Sequence, residues 1–142
     1  MGQYFKLVNL DKREYVNPHK LGSGLKLWEQ LANPMSVGKA LIILLASMPE
    51  QRGGGDLEPH PLIGSWIGDK VMLVGDYAEN EDYLDSPVPM SDVYGLCDEG
   101  EGNFKDISDD ICKIIESELD GKFVGDGWRD FKYKDAKDEE WA

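Results

Sequence analysis

The hydrophobic positions form a β-type run at the start of the chain and shift to a helical period further along. Gln3 to Val8 is an aromatic and β-branched run that predicts a strand, Asn9 to Lys12 a turn, and Arg13 to Val16 a returning strand. Pro18 and the glycines at 22 and 24 break that pattern. From Leu25 the period changes. Leu25, Trp28, Leu31 and Ala32 share one helical face, with Lys26, Glu29 and Gln30 off it, so a helix burying Trp28 is expected up to Pro34. Asn33 followed by Pro34 has the chemistry of a fresh helix start, a cap and then a first-turn proline. Val37 to Ala46 is apolar nearly all round and predicts a buried helix ending near Met48 and Pro49, with a buried strand over Leu41–Leu45 as the alternative.

Gln51 to Asp56 is glycine-rich and reads as a flexible connection. Leu62–Ile67 and Val71–Val74 are strand-like runs joined by Gly68 and Asp69, the signature of a tight two-residue hairpin. Residues 76–105 form an acidic, proline-bearing, loop-rich insertion. Ile107, Ile111, Ile114, Ile115 and Leu119 then mark one face of a helix, with Asp109 and Asp110 in its first turn and Gly121 as its stop. Residues 122–124 and 128–133 read as two last short strands, and 134–142 as a charged, frayed tail. Strands at both ends with helices between and after them make an α+β class: one small domain over 1–133, with antiparallel hairpins and about three helices.

Composition narrows the classes of function. At 142 residues and 41% hydrophobic the chain suits one globular domain, neither two domains nor a disordered polymer. Fifteen Lys plus Arg against 28 Asp plus Glu leave a net charge of −13, which repels phosphate and argues against direct nucleic-acid binding and against anionic membranes. The longest apolar run, Ala40 to Ala46, is far below the ~20 residues of a membrane span. The opening residues lack a signal-peptide core, and no Ser or Thr follows Gly2 at the spacing a myristoylation signal needs. Cys97 and Cys112, 15 positions apart with no CxxC spacing, read as two reduced thiols. A cytoplasmic protein is expected.

The charge is unevenly spread. Residues 1–48 carry six basic and three acidic side chains, whereas 49–142 carry nine and 25. Within 76–110, twelve carboxylates face Lys105 alone. Such asymmetry marks an interaction surface.

The opening Met1-Gly-Gln-Tyr-Phe-Lys-Leu-Val-Asn-Leu-Asp-Lys-Arg-Glu-Tyr-Val16 resembles the start of a group of short bacterial and phage proteins. Ile63-Gly-Ser-Trp-Ile-Gly-Asp-Lys-Val-Met-Leu-Val-Gly-Asp-Tyr77 resembles the same group, and the two strings cover 31 of 142 residues. The group carries no established activity, so the resemblance implies kinship without a function, and nothing after Tyr77 inherits a role from it.

No catalytic motif assembles. Gly22-Ser23-Gly24 lacks the third glycine of a dinucleotide loop, Gly53 to Asp56 lacks the lysine of a phosphate loop, and no Gly-x-Ser-x-Gly elbow occurs. Asp76 and Asp98 each fail as the first residue of a calcium loop, since Ala78 and Gly100 fill the third position. Cys97 sits among acids, which raise a thiol pKa, and Cys112 falls beside the last helix's apolar face. Asp69 and Asp76 would be some 20 Å apart along a strand, too far for shared acid–base work, and Asp69 reads as turn chemistry. Asp56, Glu58 and His60 alternate, so an extended segment would bring three N and O donors to one side, enough for Zn²⁺ or Mn²⁺ given a fourth ligand. Trp66 reads as core or platform on its strand, and Trp128 and Trp141, beside acids, as partly exposed.

Two functions follow. The favoured one is a non-enzymatic acidic module without a cofactor that binds a basic protein through Glu79, Glu81, Asp82, Asp85, Asp98, Glu99, Glu101 and Trp128. A sharper version is a phage-type inhibitor of a basic host protein that mimics nucleic-acid charge. The alternative is a small metal-dependent hydrolase built on Asp56, Glu58 and His60. The lack of a convergent acid, base and nucleophile favours the first. The oligomeric state is left open.

Overall fold

The apolar residues of Phe5–Asn9 point to both sides of the chain, which suits a strand covered on two faces. In the computed structural model, which describes residues 3–22, 24–31, 35–52 and 56–121, this segment is the interior strand β1. It turns back antiparallel into β2 (Glu14–Val16), with Leu7 opposite Val16 and Val8 opposite Tyr15. The turn is locked by buried Asn9, whose Oδ1 accepts from the Lys12 amide at 2.8 Å. On its other side β1 pairs antiparallel with β3 (Val71–Gly75), Leu7 opposite Leu73. A two-residue strand β4 (Lys105–Asp106) joins β2 in parallel and completes the order β3-β1-β2-β4.

Each face of this mixed sheet carries its own core. Leu7 and Val16 pack with Trp66 and with two helices, α1 (Val37–Leu45) and α3 (Ser108–Gly121). Val8, Tyr15 and Val74 pack on the opposite face with Val88, Phe104, Cys97 and a short helix, α2 (Met90–Leu96). The α+β class therefore holds, with three α-helices among the described residues, whereas the antiparallel-hairpin detail is met only in part, since β2 and β4 run parallel. The helix expected over 107–119 is present, and Ile107, Ile111, Ile114 and Ile115 are all buried. Its start is fixed by Asp106, whose Oδ1 accepts from the Ser108 amide, and by Ser108 Oγ, which accepts from the Asn17 amide at 2.7 Å.

Several expectations are corrected. Leu62–Ile67 is a series of turns, so no hairpin links it to β3. Instead it closes the end of α1: the Gly64 and Trp66 amides donate to the Ile43 and Leu44 carbonyls at 2.9 and 3.0 Å. A helix terminus leaves such carbonyls without partners, and this need outweighed a second strand. The helix expected from Leu25 shrinks to a 3₁₀ turn over Trp28–Leu31, preceded by another at Pro18–Leu21. Trp28 is 79% exposed rather than core, and Gln30 is buried in its place. Gln30 Nε2 donates to the Phe5 and Leu25 carbonyls at 2.9 and 3.0 Å, and those main-chain groups decide which side turns inward.

The central helix is capped by Ser36, whose Oγ accepts from the Lys39 amide at 3.2 Å, and the start expected at Asn33 and Pro34 lies outside the described residues. It stops at Leu45, short of Met48, and leaves Ile42 exposed, so it is not buried all round. The insertion over 76–105 is more structured than a loop, since it holds a 3₁₀ turn at Asn80–Asp82 and α2. The strands expected within 122–133 and the tail 134–142 lie outside the described residues.

Candidate functional site

The carboxylates of the acidic stretch fall into two groups at opposite ends of α2. The first follows β3. The Asp76 amide and carboxylate both bond Tyr4, at 2.9 and 3.0 Å, and hold the chain to β1 as it leaves the sheet. The Glu79 amide donates to Asp82 Oδ2 at 2.9 Å, which opens the 3₁₀ turn, and Asn80 Oδ1 accepts from the Ser91 amide at 3.0 Å in the first turn of α2. Ala78, Tyr83 and Val88 anchor the segment in the second core. Glu79, Glu81, Asp82 and Asp85 are thus exposed on a pinned backbone, and none of them enters an ion pair among the described residues. Between them stands Leu84, 80% exposed, with Tyr77 at 66% just before.

The second group, Asp98, Glu99 and Glu101, follows α2 and leads into β4. Asp98 Oδ1 accepts from the Glu99 amide at 2.8 Å, and Asn103 Nδ2 donates to the Asp98 carbonyl at 3.2 Å. Gly102 takes the left-handed conformation, φ 82°, that the return of this loop requires. Glu99 is paired with Lys20 at 3.3 Å, and Lys20 also holds Asp106 at 2.6 Å. The stretch is therefore not one continuous acidic surface. Its unpaired charge concentrates at Glu79–Asp85, and Trp128 lies outside the described residues.

The Lys20–Asp106 pair has a pH signature. Burial disfavours ionisation of Asp106, but its hydrogen bonds with Lys20 and Ser108 outweigh that and hold its pKa below the ordinary carboxylate value. A lowered native pKa stabilises the fold above the unfolded-state value near 4, and the contribution disappears as pH falls through the lower native value. Melting temperature measured from pH 6 to pH 2 should therefore fall less steeply below pH 4 in Asp106→Asn than in the wild type. Parallel curves would show that Asp106 carries no such linkage.

The remaining candidates are not brought together. Asp56 Oδ2 accepts from the Arg52 amide at 2.8 Å, the Glu58 amide donates to Glu118 Oε2 at 2.9 Å, and His60 Nδ1 accepts from the Leu62 amide at 3.0 Å. Among the described residues no group of three or more His, Cys, Asp or Glu is placed to hold a metal ion. Asp69 keeps its turn role, since its amide donates to the Trp66 carbonyl at 3.1 Å, and its carboxylate also accepts from Asn9 Nδ2 at 2.8 Å and from Lys12 Nζ. Cys97 is fully buried, and burial above all, with Asp106 adding to it and Lys6 opposing it, pushes its thiol up to about 12. Cys112 is raised as well, first by burial and then by Glu116 and Asp109. Neither thiol is poised as a nucleophile.

Tyr77 and Leu84 were missed as site residues. The signal was present as Glu81-Asp82-Tyr83-Leu84-Asp85, an apolar pair enclosed by acids, of which only Tyr83 turns to the core.

What the described residues define is a small α+β domain with a mixed four-stranded sheet, whose segment Glu79–Asp85 exposes carboxylates around Leu84. Compared with protein-family models, with curated proteins and with solved structures, the chain matches none. Among the described residues no helix is long and apolar enough to cross a membrane.

Proposed function

We propose that this protein is an acidic protein-binding module whose partner is a basic protein. The observation that carries this reading is the segment Glu79–Asp85, where exposed carboxylates without ion-pair partners surround Leu84 on a backbone pinned to the core. Charge of this kind steers a basic partner, and an apolar side chain within a polar rim supplies the anchor that is lost from water on binding. Tyr77 is the second anchor. Asp98, Glu99 and Glu101 extend the acidic field without joining the same patch. In its sharper form the module is a phage-type inhibitor that presents carboxylates where its target expects nucleic-acid phosphates.

The test begins with capture of a basic protein from host lysate, identified by mass spectrometry and purified. Its association rate with Glu79→Lys/Glu81→Lys/Asp85→Lys should fall about 10–100-fold, while added salt should weaken wild-type binding steeply. Asp82 is spared because it caps the 3₁₀ turn. The control matched in net charge is Glu50→Lys/Glu58→Lys/Glu116→Lys, built on exposed positions outside the acidic stretch. Equal losses in both variants, or no loss in either, would show that Glu79–Asp85 is not a binding site.

A further inference from the structure

We infer that the protein forms a two-fold dimer by antiparallel pairing of β3 with β3 of a second copy, centred on Leu73. This goes beyond the acidic site, which lies outside the strand. The Lys70 carbonyl accepts from the Leu10 amide at 2.8 Å, and the Asp76 amide donates to the Tyr4 carbonyl at 2.9 Å. These bonds bracket the β1–β3 ladder and set its phase. Lys70, Met72, Val74 and Asp76 turn their main-chain groups towards β1, and Val71, Leu73 and Gly75 turn theirs outward. Among the described residues β3 is an edge strand, and the outward amides and carbonyls of Val71 and Leu73 have no hydrogen-bond partner there. Leu73 is 37% exposed. Within Val71–Gly75 there is no charge and no proline, the devices by which natural edges avoid pairing.

The edge is complementary to itself. With a two-fold axis at Leu73, that residue meets its own copy and Met72 meets Val74. Val71 lies opposite Gly75, and Lys70 lies opposite Asp76 at both ends. The three outward-facing residues fall in hydrogen-bonding register with one another, and the Lys70–Asp76 pairs lie in the closely spaced, non-hydrogen-bonded sites just beyond the last bonded pair at each end. Both side chains are exposed; within the chain Lys70 Nζ stands 3.8 Å from Asp11 Oδ1 and Asp76 Oδ1 accepts from the Tyr4 amide, which leaves Asp76 Oδ2 for the Lys70 of the second copy. Sliding the pairing by two residues either way keeps the ladder in phase but sets Lys70 against Val74 or Ala78, and both ion pairs are lost. Charge therefore selects the centred register. Assembly also stops at two, because the other edge of the sheet is β4, two residues long and charged at both.

Sedimentation equilibrium of the full chain in 0.3 M salt, where repulsion between two −13 bodies is screened, should give twice the 15.9 kDa chain mass at about 100 µM. Lys70→Asp or Asp76→Lys alone sets like charges opposite each other and should weaken the dimer at least about tenfold. The double variant Lys70→Asp/Asp76→Lys reverses each pair and should recover most of that loss, with circular dichroism confirming the fold throughout. Leu73→Lys should give a monomer. A monomeric wild type overturns the inference, and so does a dimer equally strong in the single, double and Leu73→Lys variants. A monomer whose Leu73 amide becomes protected from exchange only on adding the captured basic protein overturns it in favour of strand addition by that partner. The acidic-loop reversal leaves β3 untouched, so loss of partner binding and loss of dimer are read separately.

Discussion

Trp66→Ala is expected to lower stability by about 3–5 kcal/mol, the cost of emptying a large aromatic site in a packed core. For a chain of this length that is a fall of roughly 12–20 °C in melting temperature. Trp66 is fully buried among the residues that join α1, α3 and the sheet, and its Nε1 donates to Glu14 Oε1 at 2.7 Å. Two smaller changes separate packing from this bond. Trp66→Phe keeps much of the ring but leaves the half-buried Glu14 carboxylate short of a donor, at about 1–3 kcal/mol. Glu14→Gln keeps an acceptor and should cost about 1 kcal/mol or less. Denaturant melts of the three variants give the ranking, and equal losses from Phe and Ala would mean that packing at this site contributes little.

Ile111→Asp should leave the domain unfolded or destabilised by about 3–5 kcal/mol, since it places an unpaired charge in the core. Ile111 is 0% exposed in α3, whereas Ile42, an equally apolar residue of α1, is 64% exposed. Ile42→Asp should therefore change stability by about 0.5 kcal/mol or less. Far-UV circular dichroism and urea unfolding of the two variants distinguish them. A cooperative, wild-type-like melt for Ile111→Asp would mean that the buried stripe of α3 is not where the isoleucines lie.

The elements readable from sequence are those whose local period and burial agree. The aromatic and β-branched run of β1 and the isoleucine spacing of α3 both survive folding, because β1 is covered on two faces and α3 buries one continuous stripe. β3 was legible as a strand but its neighbour was not. Gly68 does take the positive φ, 84°, that a tight turn requires, yet Leu62–Ile67 serves the open end of α1. A local turn signal carries no information about which distant backbone groups need partners. Trp28 failed for a related reason, since helical spacing says nothing of the Phe5 and Leu25 carbonyls that Gln30 must satisfy. In α2 the positions that reach the core are Met90, Val93 and Cys97, a helical spacing too short to stand out among acids and prolines. The acidic candidates were legible as charges. Their division into two groups was not, because it follows from α2 running between them.

The interior position of β1 also sets the order in which the chain can assemble. Its turn into β2 is local and can close within microseconds, whereas β3 must return across about sixty residues before Asn9 can meet Val71. The entropy of closing that loop has to be met before any of its pairing is gained, so folding should be slower than for a helical bundle of this length. During synthesis β1 stays open on that side until residue 75 has emerged, and β2 waits still longer for residue 105. A chain cut between α1 and β3 would keep Leu7 and Val8 without the strand that covers them, and its fate should be aggregation rather than a smaller folded unit.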